Sequence, residues 1–287
     1  MQTHFWKLAR RALPYGERTL VMGILNVTPD SFSDGGEFFD RGRAVERAEE
    51  MVAEGADILD VGGESTRPGG ASVSVDEEIR RVVPVLSALA GRVAVPVSVD
   101  TTKAAVARAA LDAGAEIVND ISGLRFDPAL ADEVGRARAG LVLMHSRGER
   151  ETLHALPPVE EIFREVVESL RLSVAEAERR GVARDSLAVD PGIGFGKSQE
   201  QNVELVARLD VLAHEFPDMP LLVGTSRKRF IGELLGGAAV EGRLHGTMAT
   251  VAAAVLRGAS IVRVHDVRAA VETVRVADAI RAVTGDE

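Results

Sequence analysis

The chain has 287 residues, of which 46% are hydrophobic, so it is long enough to bury a sizeable core in one large domain. Its net charge of −10 argues against nucleic acid as a partner, because a phosphate backbone needs a basic face, but it permits a small anion at a locally cationic pocket. No apolar stretch is long enough to span a membrane, the start of the chain has no export signal, and the absence of cysteine excludes disulfides, so we expect a cytoplasmic protein.

One unit recurs along the chain: a short β-branched run, a polar tip, and a segment rich in Ala, Arg and Glu with helical periodicity. Strands are predicted near residues 20–26, 57–61, 95–100, 116–120, 140–145, 187–190, 220–225 and 260–265. Helical patterns include residues 43–55, 76–90, 159–181 and 243–258, and Gly55, Gly91, Gly114, Gly181 and Gly258 stand where helices are expected to end.

Eight strands that alternate with helices predict a parallel (β/α)8 barrel of the TIM type, because eight strands close this barrel. An open doubly wound sheet is the alternative, but it usually carries a glycine fingerprint after its first strand, where this chain reads NVTPD. We see no linker between domains. The prediction is therefore a single α/β barrel domain over residues 20–287, with a lead-in segment, residues 1–19, that covers the bottom of the barrel.

The stretch NVTPDSFSDGG, residues 26–36, follows the first predicted strand directly. It is rich in Gly, Pro, Ser and Asp and has almost no side chain to bury, so we expect neither a helix nor a strand there. Two interpretations remain: a loose linker, or a mobile lid over a site at the end of the strand.

The predicted strands nearly all end in polar or charged residues, and in a barrel these ends converge at the C-terminal mouth, where active sites of this fold lie. The residues are Asn26, Asp60, Asp100, Asn119, Asp120, His145, Asp190, Ser226, Arg263 and His265. For Asp60 and Asp120 we expect the ordinary role of a helix cap or loop residue. Capping alone does not explain the whole set, which predicts a site at the mouth.

The segment DPGIGFGKS, residues 190–198, matches no nucleotide-binding loop. A P-loop needs glycine at the position of Pro191, and a dinucleotide fingerprint that begins at Gly192 meets Lys197 instead of its last glycine. The glycines are better explained by a backbone that turns tightly against a flat ligand. Lys197 is either a group of the site or a residue of the loop itself. Only four of the 34 basic residues are lysine, and three of these follow predicted strands.

Asp100, Asn119 and Asp190 form an acidic, hydrogen-bonding set on three predicted strands. In a dry pocket these groups require donors. Zinc is one candidate, but the sequence has no H-x-H or H-E-x-x-H pattern, and a flat heterocycle with an amidine-like N–H edge suits the carboxylates better. Ion pairing with Lys228 and Arg263 is the structural alternative, and it can coexist with ligand binding.

Cations and phosphate-binding groups collect in three other segments, ESTRPGG (64–70), TSRKRF (225–230) and RVHDV (263–267). The loops after strands seven and eight are the usual phosphate site of a TIM barrel. Arg263 and His265 are two residues apart on one predicted strand, so their side chains point the same way. Together they would hold an anion such as a diphosphate.

Eight segments together resemble the dihydropteroate synthase family, in that family's order: MGILNVTPDSFSDGG, LDVGGESTRPGG, VSVDTTK, VNDISG, LMHSRG, DPGIGFGKSQEQN, GTSRKRFIG and HGTMATVAAAVLRGASIVRVHDV. The resemblance runs from the first predicted strand to the C-terminus. It implies a TIM barrel, usually a homodimer, that joins (7,8-dihydropterin-6-yl)methyl diphosphate to 4-aminobenzoate, giving 7,8-dihydropteroate and diphosphate for folate synthesis. By the same likeness, helices over 243–258 and 267–281 would form the dimer surface.

The resemblance also implies roles for single residues. Asp100, Asn119, Asp190 and Lys228 would bind the pterin, Arg263 would stack on its ring, His265 and Asn26 would hold the diphosphate, and Asn26 would also bind Mg²⁺. The implied catalytic groups are Asn26, Lys228, Arg263 and His265. Thr66 and Arg67 would contact the pterin diphosphate, and Phe32 and Asp34 would close over the complex. The 4-aminobenzoate pocket would be formed by Phe32, Pro68, Phe195 and Ser226.

The implied reaction needs no protein nucleophile, since diphosphate departs, the ring stabilises a cation and the arylamine captures it; direct displacement is left open. The chain departs from the family's pattern at the rim, where Ser146, His154 and Arg229 replace the common Met, Gln and Ser. Two other functions are weighed, a pterin-dependent methyltransferase and a catalytically silent pterin-binding paralogue. The first would not need NVTPDSFSDGG, and the intact Lys228 and Arg263 argue against the second.

Overall fold

A computed structural model of the chain describes residues 3–28, 36–64, 73–148 and 156–284. The strands are β1 (His4–Lys7), β2 (Ala12–Tyr15), β3 (Leu20–Asn26), β4 (Ile58–Gly62), β5 (Val97–Asp100), β6 (Ile117–Asp120), β7 (Gly140–Met144), β8 (Leu187–Asp190), β9 (Leu222–Val223) and β10 (Ile261–Val264). The α-helices are α1 (Gly36–Ala53), α2 (Val75–Leu89), α3 (Ala104–Asp112), α4 (Leu130–Ala137), α5 (Ile162–Arg179), α6 (Gln199–Ala207), α7 (Leu209–Glu215), α8 (Arg229–Leu234), α9 (Leu244–Leu256) and α10 (Val267–Thr284). Over the described ranges, none of the helices combines the length and apolar character that a membrane span requires.

Strands β3 to β10 form one parallel sheet, in the order β8-β7-β6-β5-β4-β3-β10-β9. A parallel bridge between Val189 of β8 and Leu221, just before β9, joins the two outer strands of this sheet. The sheet therefore closes into a barrel, with the helices packed around it. The predicted (β/α)8 fold is confirmed.

Residues along each strand alternate between the inside of the barrel and the helical layer outside it. In β4, Leu59 and Val61 belong to the large outer core, whereas Ile58 packs in a separate inner cluster. Asp60, which stands between Leu59 and Val61, shares the inner face with Ile58. The same alternation turns Arg263 of β10 inward. Two charged side chains, Asp60 and Arg263, therefore lie inside the barrel on strands that are otherwise apolar.

The antiparallel hairpin of β1 and β2 covers the bottom of the barrel. Trp6 is fully buried there, and its Nε1 donates a hydrogen bond to the Ser186 carbonyl at 2.9 Å. With Leu8 and Tyr15 it packs against inward residues of the barrel strands, among them Ile261. The lead-in segment thus covers the barrel bottom as predicted. No strand was predicted in it, because two four-residue strands give too short a pattern to recognise.

Strand β9 is much shorter than its prediction, since only Leu222–Val223 pair with β10, whereas a strand was expected over 220–225. Pro220 has no N–H to donate, although its carbonyl accepts a hydrogen bond from the Val189 N–H at 3.1 Å. Beyond Val223 the chain leaves the ladder for the loop that carries Ser226 and Lys228.

The glycines predicted at helix ends all adopt positive φ angles, as a C-terminal cap requires. Gly55, Gly91, Gly114, Gly181 and Gly258 have φ values of 105°, 74°, 112°, 90° and 91°. Each follows the last residue of its helix by two positions, so these predicted ends are confirmed.

Candidate active site

Four strand ends meet side by side at the C-terminal mouth of the barrel. In the register of the sheet, Asn26 of β3 lies opposite Gly62 of β4, and Gly62 lies opposite Asp100 of β5. Asp100 in turn lies opposite Asn119 of β6. A Cβ built on Gly62 would lie 3.7 Å from Asn26 Oδ1 and 3.9 Å from Asp100 Oδ2. The missing side chain of Gly62 thus leaves the Asn26 and Asp100 side chains facing one shared space.

Arg263 spans the acidic side chains of two strands. Its Nε donates to Asp60 Oδ2 at 2.6 Å, and its Nη2 donates to Asp100 Oδ2 at 2.7 Å. The Asn119 Nδ2 donates to the same Asp60 oxygen at 3.1 Å. One network therefore joins residues of β4, β5, β6 and β10 and fixes the plane of the guanidinium.

Asp60 is the member of this network that the sequence interpretation missed. The expected cap or loop role is wrong, because the side chain is 0% exposed and lies inside the barrel. Its second oxygen, Oδ1, finds no hydrogen-bond partner among the described residues. The signal lay in the alternation of ILDVG, 58–62, since a carboxylate at an inward position of a buried strand needs an internal partner.

Burial sets the protonation of this network. It raises the pKa of Asp100 to about 7, although the neighbouring Arg263 opposes the shift. Burial alone would lower the pKa of Arg263, but the Asp60 and Asp100 carboxylates outweigh it and raise that pKa, so the guanidinium stays charged. Asp100 therefore changes charge near neutral pH.

Asp190 faces the same mouth from the end of β8. Its Oδ1 accepts from the Gly192 N–H at 2.7 Å, and burial raises its pKa while Lys228 opposes the shift. Lys228 enters from the loop after β9, where its Nζ donates to the Ile193 carbonyl and lies 4.2 Å from the centre of the Phe195 ring. Burial lowers the pKa of Lys228 to about 8. The Lys228 ammonium and the Asp190 carboxylate each favour the charged form of the other and so oppose the effect of burial on both pKa values.

Lys197 belongs to the glycine loop. Its Nζ donates to the carbonyls of Gly192 at 2.8 Å, Phe195 at 3.0 Å and His145 at 3.4 Å, which matches the three donors of an ammonium. A Cβ on Gly192 would lie 1.8 Å from the His145 carbonyl oxygen. Of the two roles left open by the sequence, these contacts support the structural one, because they hold the loop against β7.

Ser226 and His265 form a pair where β9 and β10 end. Ser226 Oγ lies 2.9 Å from His265 Nδ1, and the backbone N–H of His265 donates to the same Oγ at 3.2 Å. His265 follows Arg263 by two positions but lies just beyond the end of β10, which was predicted to reach residue 265. The structure therefore brings His265 of the R-x-H pair to Ser226, whereas Arg263 contacts Asp60 and Asp100.

Two other strand ends serve local structure. Asp120 accepts from the Ser122 N–H at 2.8 Å, the Ser122 hydroxyl at 2.7 Å and the Leu124 N–H at 2.6 Å, which is the loop role expected for it. His145 is buried with its Nε2 3.7 Å from Glu165 Oε1, and burial lowers its pKa to about 4, so it stays neutral at physiological pH.

Several implied residues lie outside the described residues. They are Phe32, Asp34, Thr66, Arg67 and Pro68, together with His154 at the rim. Of the other two departures, Ser146 Oγ accepts from Arg125 Nη2 at 2.9 Å, and Arg229 Nε lies 3.2 Å from Glu233 Oε1.

The described part of the mouth combines oxygen acceptors with two cations. Asp100, Asn119 and Asp190 bring oxygens that can accept N–H donors, while Lys228 and Arg263 supply positive charge at the same mouth. This arrangement suits a flat heterocycle that has a row of N–H groups along one edge and carries an anionic substituent directed toward His265. Among the described residues, no three His, Cys, Asp or Glu side chains come together as a metal cluster.

Comparisons with known proteins agree with this chemistry. Residues 22–265 match a family described as pterin-binding enzymes. The dihydropteroate synthase of Synechocystis is 46% identical, over 93% of this chain and 91% of the relative. The dihydropteroate synthase of Escherichia coli is 47% identical, over 90% of each chain.

Solved structures extend the likeness to the whole fold. The dihydropteroate synthase of Xanthomonas albilineans with 4-aminobenzoic acid has a TM-score of 0.90 and 44% identity, and the match covers 98% of this chain and 99% of that one. The enzyme of Burkholderia cenocepacia, complexed with 7,8-dihydropteroate, has a TM-score of 0.88 and 41% identity over 100% of both chains.

Proposed function

Because the chain belongs to the family of pterin-binding enzymes, and within it to the dihydropteroate synthases, we propose that the mouth of its barrel is the site of that reaction. The reaction condenses (7,8-dihydropterin-6-yl)methyl diphosphate with 4-aminobenzoate to give 7,8-dihydropteroate and diphosphate, a step of folate biosynthesis. The chain is thus a transferase whose substrates are two small molecules.

The observation that carries the proposal is the row of acceptors on the inner face. A pterin presents N–H donors along its 2-amino-pyrimidinone edge, and Asp100, Asn119 and Asp190 offer oxygens from three strands of one barrel end. Lys228 provides the donor for the ring carbonyl. Arg263, held by Asp100 at 2.7 Å, supplies a fixed planar cation for the ring to stack on.

The diphosphate would extend from the pterin toward His265 and Asn26. Asn26 ends β3, and His265 directly follows β10, the strand that pairs with β3. Thr66 and Arg67 complete this part of the proposal by resemblance. For 4-aminobenzoate, Phe195 offers an apolar wall beside Lys228, and Phe32, Pro68 and Ser226 join it by resemblance.

In the proposed sequence, the bond between the methylene carbon and the bridging oxygen breaks first, and both electrons leave with diphosphate. Electron donation from the dihydropterin ring stabilises the cation that remains. The amine nitrogen of 4-aminobenzoate then forms the new C–N bond and gives up a proton to water. Arg263 and His265 stabilise the charge on the leaving group, and no side chain acts as a nucleophile.

Asn26 would hold a Mg²⁺ ion at this mouth, with diphosphate oxygens and waters as the other ligands, which is a normal ligand set for the ion. The carboxamide oxygen of Asn26 lies 3.7 Å from the position of a Cβ on Gly62, and the Asp100 carboxylate oxygen Oδ2 lies 3.9 Å from the same position. The bound ion would offset negative charge on the departing diphosphate.

We also propose a cytoplasmic homodimer. What supports the dimer is a set of exposed apolar side chains on the last two helices, namely Leu256, Val276, Ile280 and Val283. Helices α9 and α10 are also those that the family resemblance assigns to the dimer surface. The cytoplasmic location is carried over from the sequence expectation.

The test is release of diphosphate from the pterin substrate on addition of 4-aminobenzoate, with formation of 7,8-dihydropteroate. Asp100→Asn and Lys228→Ala should each abolish measurable turnover, whereas Lys7→Ala, which removes a surface ion pair with Asp185, should not. A silent pterin-binding protein would bind the substrate but release no diphosphate. A methyltransferase would leave the diphosphate intact and transfer a methyl group from a methylated pterin.

The order of bond changes has its own test. If diphosphate leaves first, an ¹⁸O label in the bridging position should scramble into non-bridging positions in the enzyme complex without 4-aminobenzoate. Retention of the label, with turnover intact when the amine is present, would favour direct displacement.

A further inference from the structure

Ser226 contacts His265 twice, and this double contact is unlike that of a residue that merely lines a pocket. Ser226 is 6% exposed, its Oγ lies 2.9 Å from Nδ1 of the imidazole, and the same Oγ accepts from the His265 backbone N–H at 3.2 Å. The serine hydroxyl therefore touches both the main chain and the ring of the same residue.

The chain around this pair is held from both sides. Arg227, which follows Ser226, has a left-handed φ of 58° and donates its N–H to Thr247 Oγ1 at 3.0 Å. Its guanidinium forms two hydrogen bonds with Asp266, the residue after His265, at 3.0 and 2.5 Å. The backbone positions of Ser226 and His265 are thus fixed relative to each other, and neither residue has to move to keep the contact.

The hydrogens of the pair can be assigned from its contacts. Ser226 Oγ already uses one lone pair to accept the His265 N–H, and its own buried O–H hydrogen needs an acceptor. The Nδ1 atom of His265 is at the right distance. When Nδ1 accepts this hydrogen bond, the proton of the neutral imidazole resides on Nε2.

We propose that Ser226 is a positioning residue that holds His265 in the Nε2–H tautomer, so that the imidazole is a hydrogen-bond donor to the departing diphosphate. This inference rests on the proposed function only for its second half, because the tautomer is a property of the ligand-free protein. Diphosphate oxygens are acceptors, so the opposite tautomer would turn a lone pair of Nε2 toward negative charge. The hydrogen bond from Ser226 disfavours this opposite tautomer already in the ligand-free protein.

The proposal differs from the role that the family resemblance gives to Ser226, which is contact with 4-aminobenzoate. A residue of that pocket would change the KM for 4-aminobenzoate when truncated. A residue that orients His265 would instead change kcat, since the donor acts on the leaving group. The two roles are therefore separable by kinetics.

The test begins with the ligand-free protein labelled with ¹⁵N-histidine. The chain has six histidines, and the His265→Gln variant identifies the signals of His265 in long-range ¹H–¹⁵N spectra. We expect the Nε2–H pattern in the unmodified protein, a mixture of tautomers in Ser226→Ala, and recovery of the Nε2–H pattern in Ser226→Thr. Ser146→Ala is the matched control, because Ser146 also follows a barrel strand but bonds to Arg125, and it should leave the His265 signals unchanged.

Steady-state kinetics complete the test. Ser226→Ala should lower kcat by about five- to tenfold, the effect of losing one neutral hydrogen bond, with the KM for 4-aminobenzoate unchanged and with most of kcat restored in Ser226→Thr. An Nδ1–H signal in the unmodified protein, or an unchanged tautomer in Ser226→Ala, would overturn the proposal. A correct tautomer in a protein without synthase activity would keep the pairing and reject the proposed function.

Discussion

At the scale of single residues, Asp60 organises the site without occupying a strand end. One of its oxygens accepts from both Arg263 and Asn119, so this carboxylate aligns a cation and a carboxamide that come from different strands. Because Asn119 donates its Nδ2 hydrogen inward, its own oxygen remains for a ligand N–H. In the proposed complex, Asp60 would therefore help to decide which edge of the pterin ring the mouth accepts.

The first prediction concerns this residue. Asp60→Asn removes the charge and replaces one oxygen by a donor, so it should weaken pterin binding by about 10- to 100-fold through loss of a charge-assisted hydrogen bond. Calorimetric titration with the pterin substrate measures the change, and urea unfolding shows whether the fold survives. Asp185→Asn, at an exposed ion pair on the barrel bottom, is the control and should bind normally. Normal binding by Asp60→Asn would contradict this role.

The second prediction concerns pH. Burial raises the pKa of Asp100 to about 7, so this carboxyl is increasingly protonated below pH 7 in the ligand-free protein. Pterin N–H donors stabilise the carboxylate, hence binding should lower this pKa, release a proton near pH 7 and weaken as the pH falls below 7. A ¹³C titration of the Asp100 carboxyl with and without ligand measures the shift. An equal pKa in both states would refute it.

The same shift has a consequence for folding. Because the folded pKa lies above the unfolded value of 3.8, ionisation of Asp100 costs folding free energy as the pH rises from about 4 to about 7. The contribution to stability is therefore fully present at low pH and lost as the pH passes through 7. Ligand binding should recover part of it.

The residues at strand ends were predictable, and so was the ion pair of Asp100 with Arg263, but the other pairings were not. Asp100, Asn119 and Asp190 stand out because polar residues end apolar runs, and the barrel fold sends all such ends to one mouth. The contact between Ser226 and His265 joins residues 39 positions apart, and it depends on how β9 aligns with β10. Sequence periodicity carries no information on that alignment, so it did not predict this pair. The alternation of ILDVG places Asp60 inside the barrel, but it does not identify the partners of Asp60.

At the scale of elements, the glycine loop after β8 shows how backbone positions serve the site. Gly192 donates its N–H to Asp190 and approaches the His145 carbonyl, while Lys197 binds three carbonyls of the region. The loop is therefore held against β7, and it in turn orients Asp190. The rarity of lysine in this chain was a useful signal, although it did not distinguish Lys197 in the loop from Lys228 at the site.

The third prediction compares two glycines. Gly192→Ala places a Cβ 1.8 Å from a backbone oxygen, so the loop must shift, and Asp190 should lose its hydrogen bond from the loop. We expect pterin affinity to fall more than about tenfold. Gly91→Ala is the matched control, since Gly91 has a similar φ of 74° but no atom within 4 Å of its built Cβ. It should cost about 1 kcal/mol of stability and leave affinity unchanged.

The elements themselves were predicted unevenly. Long amphipathic helices such as α5 show several turns of apolar periodicity, and all eight barrel strands were located. The hairpin of β1 and β2 was missed because its strands are four residues long, and β9 was predicted too long because Pro220 interrupts a run that reads as a strand.

At the scale of the whole molecule, the two ends of the barrel have separate tasks. The mouth collects charged groups, while the bottom is filled by Trp6, Leu8 and Tyr15 of the lead-in segment. Separation of this kind lets the bottom supply stability without touching the chemistry.

The fourth prediction tests that separation. Trp6→Ala should lower the free energy of unfolding by about 3–5 kcal/mol, because Trp6 is fully buried and bonded to the Ser186 carbonyl. The KM values of the folded enzyme should stay unchanged. Phe5→Ala is the control, since Phe5 is 58% exposed and should change stability by less than about 0.5 kcal/mol. Urea unfolding and steady-state kinetics measure both, and a large KM change in Trp6→Ala would show that the two ends communicate.

Because β9 is short, the barrel wall has a weakly paired seam between β8 and β9. Between β8 and β9 the described residues form only the isolated bridge of Val189 and Leu221. Asp190 ends β8 on one side of this bridge, and Lys228 lies in the loop after β9 on the other side. The seam should open more often than the other strand pairs, and amide hydrogen exchange near Val189 and Leu222 should be the fastest in the wall. A pterin that binds both Asp190 and Lys228 would connect the two sides of this seam. The substrate should therefore slow amide hydrogen exchange at the seam more than elsewhere in the barrel wall.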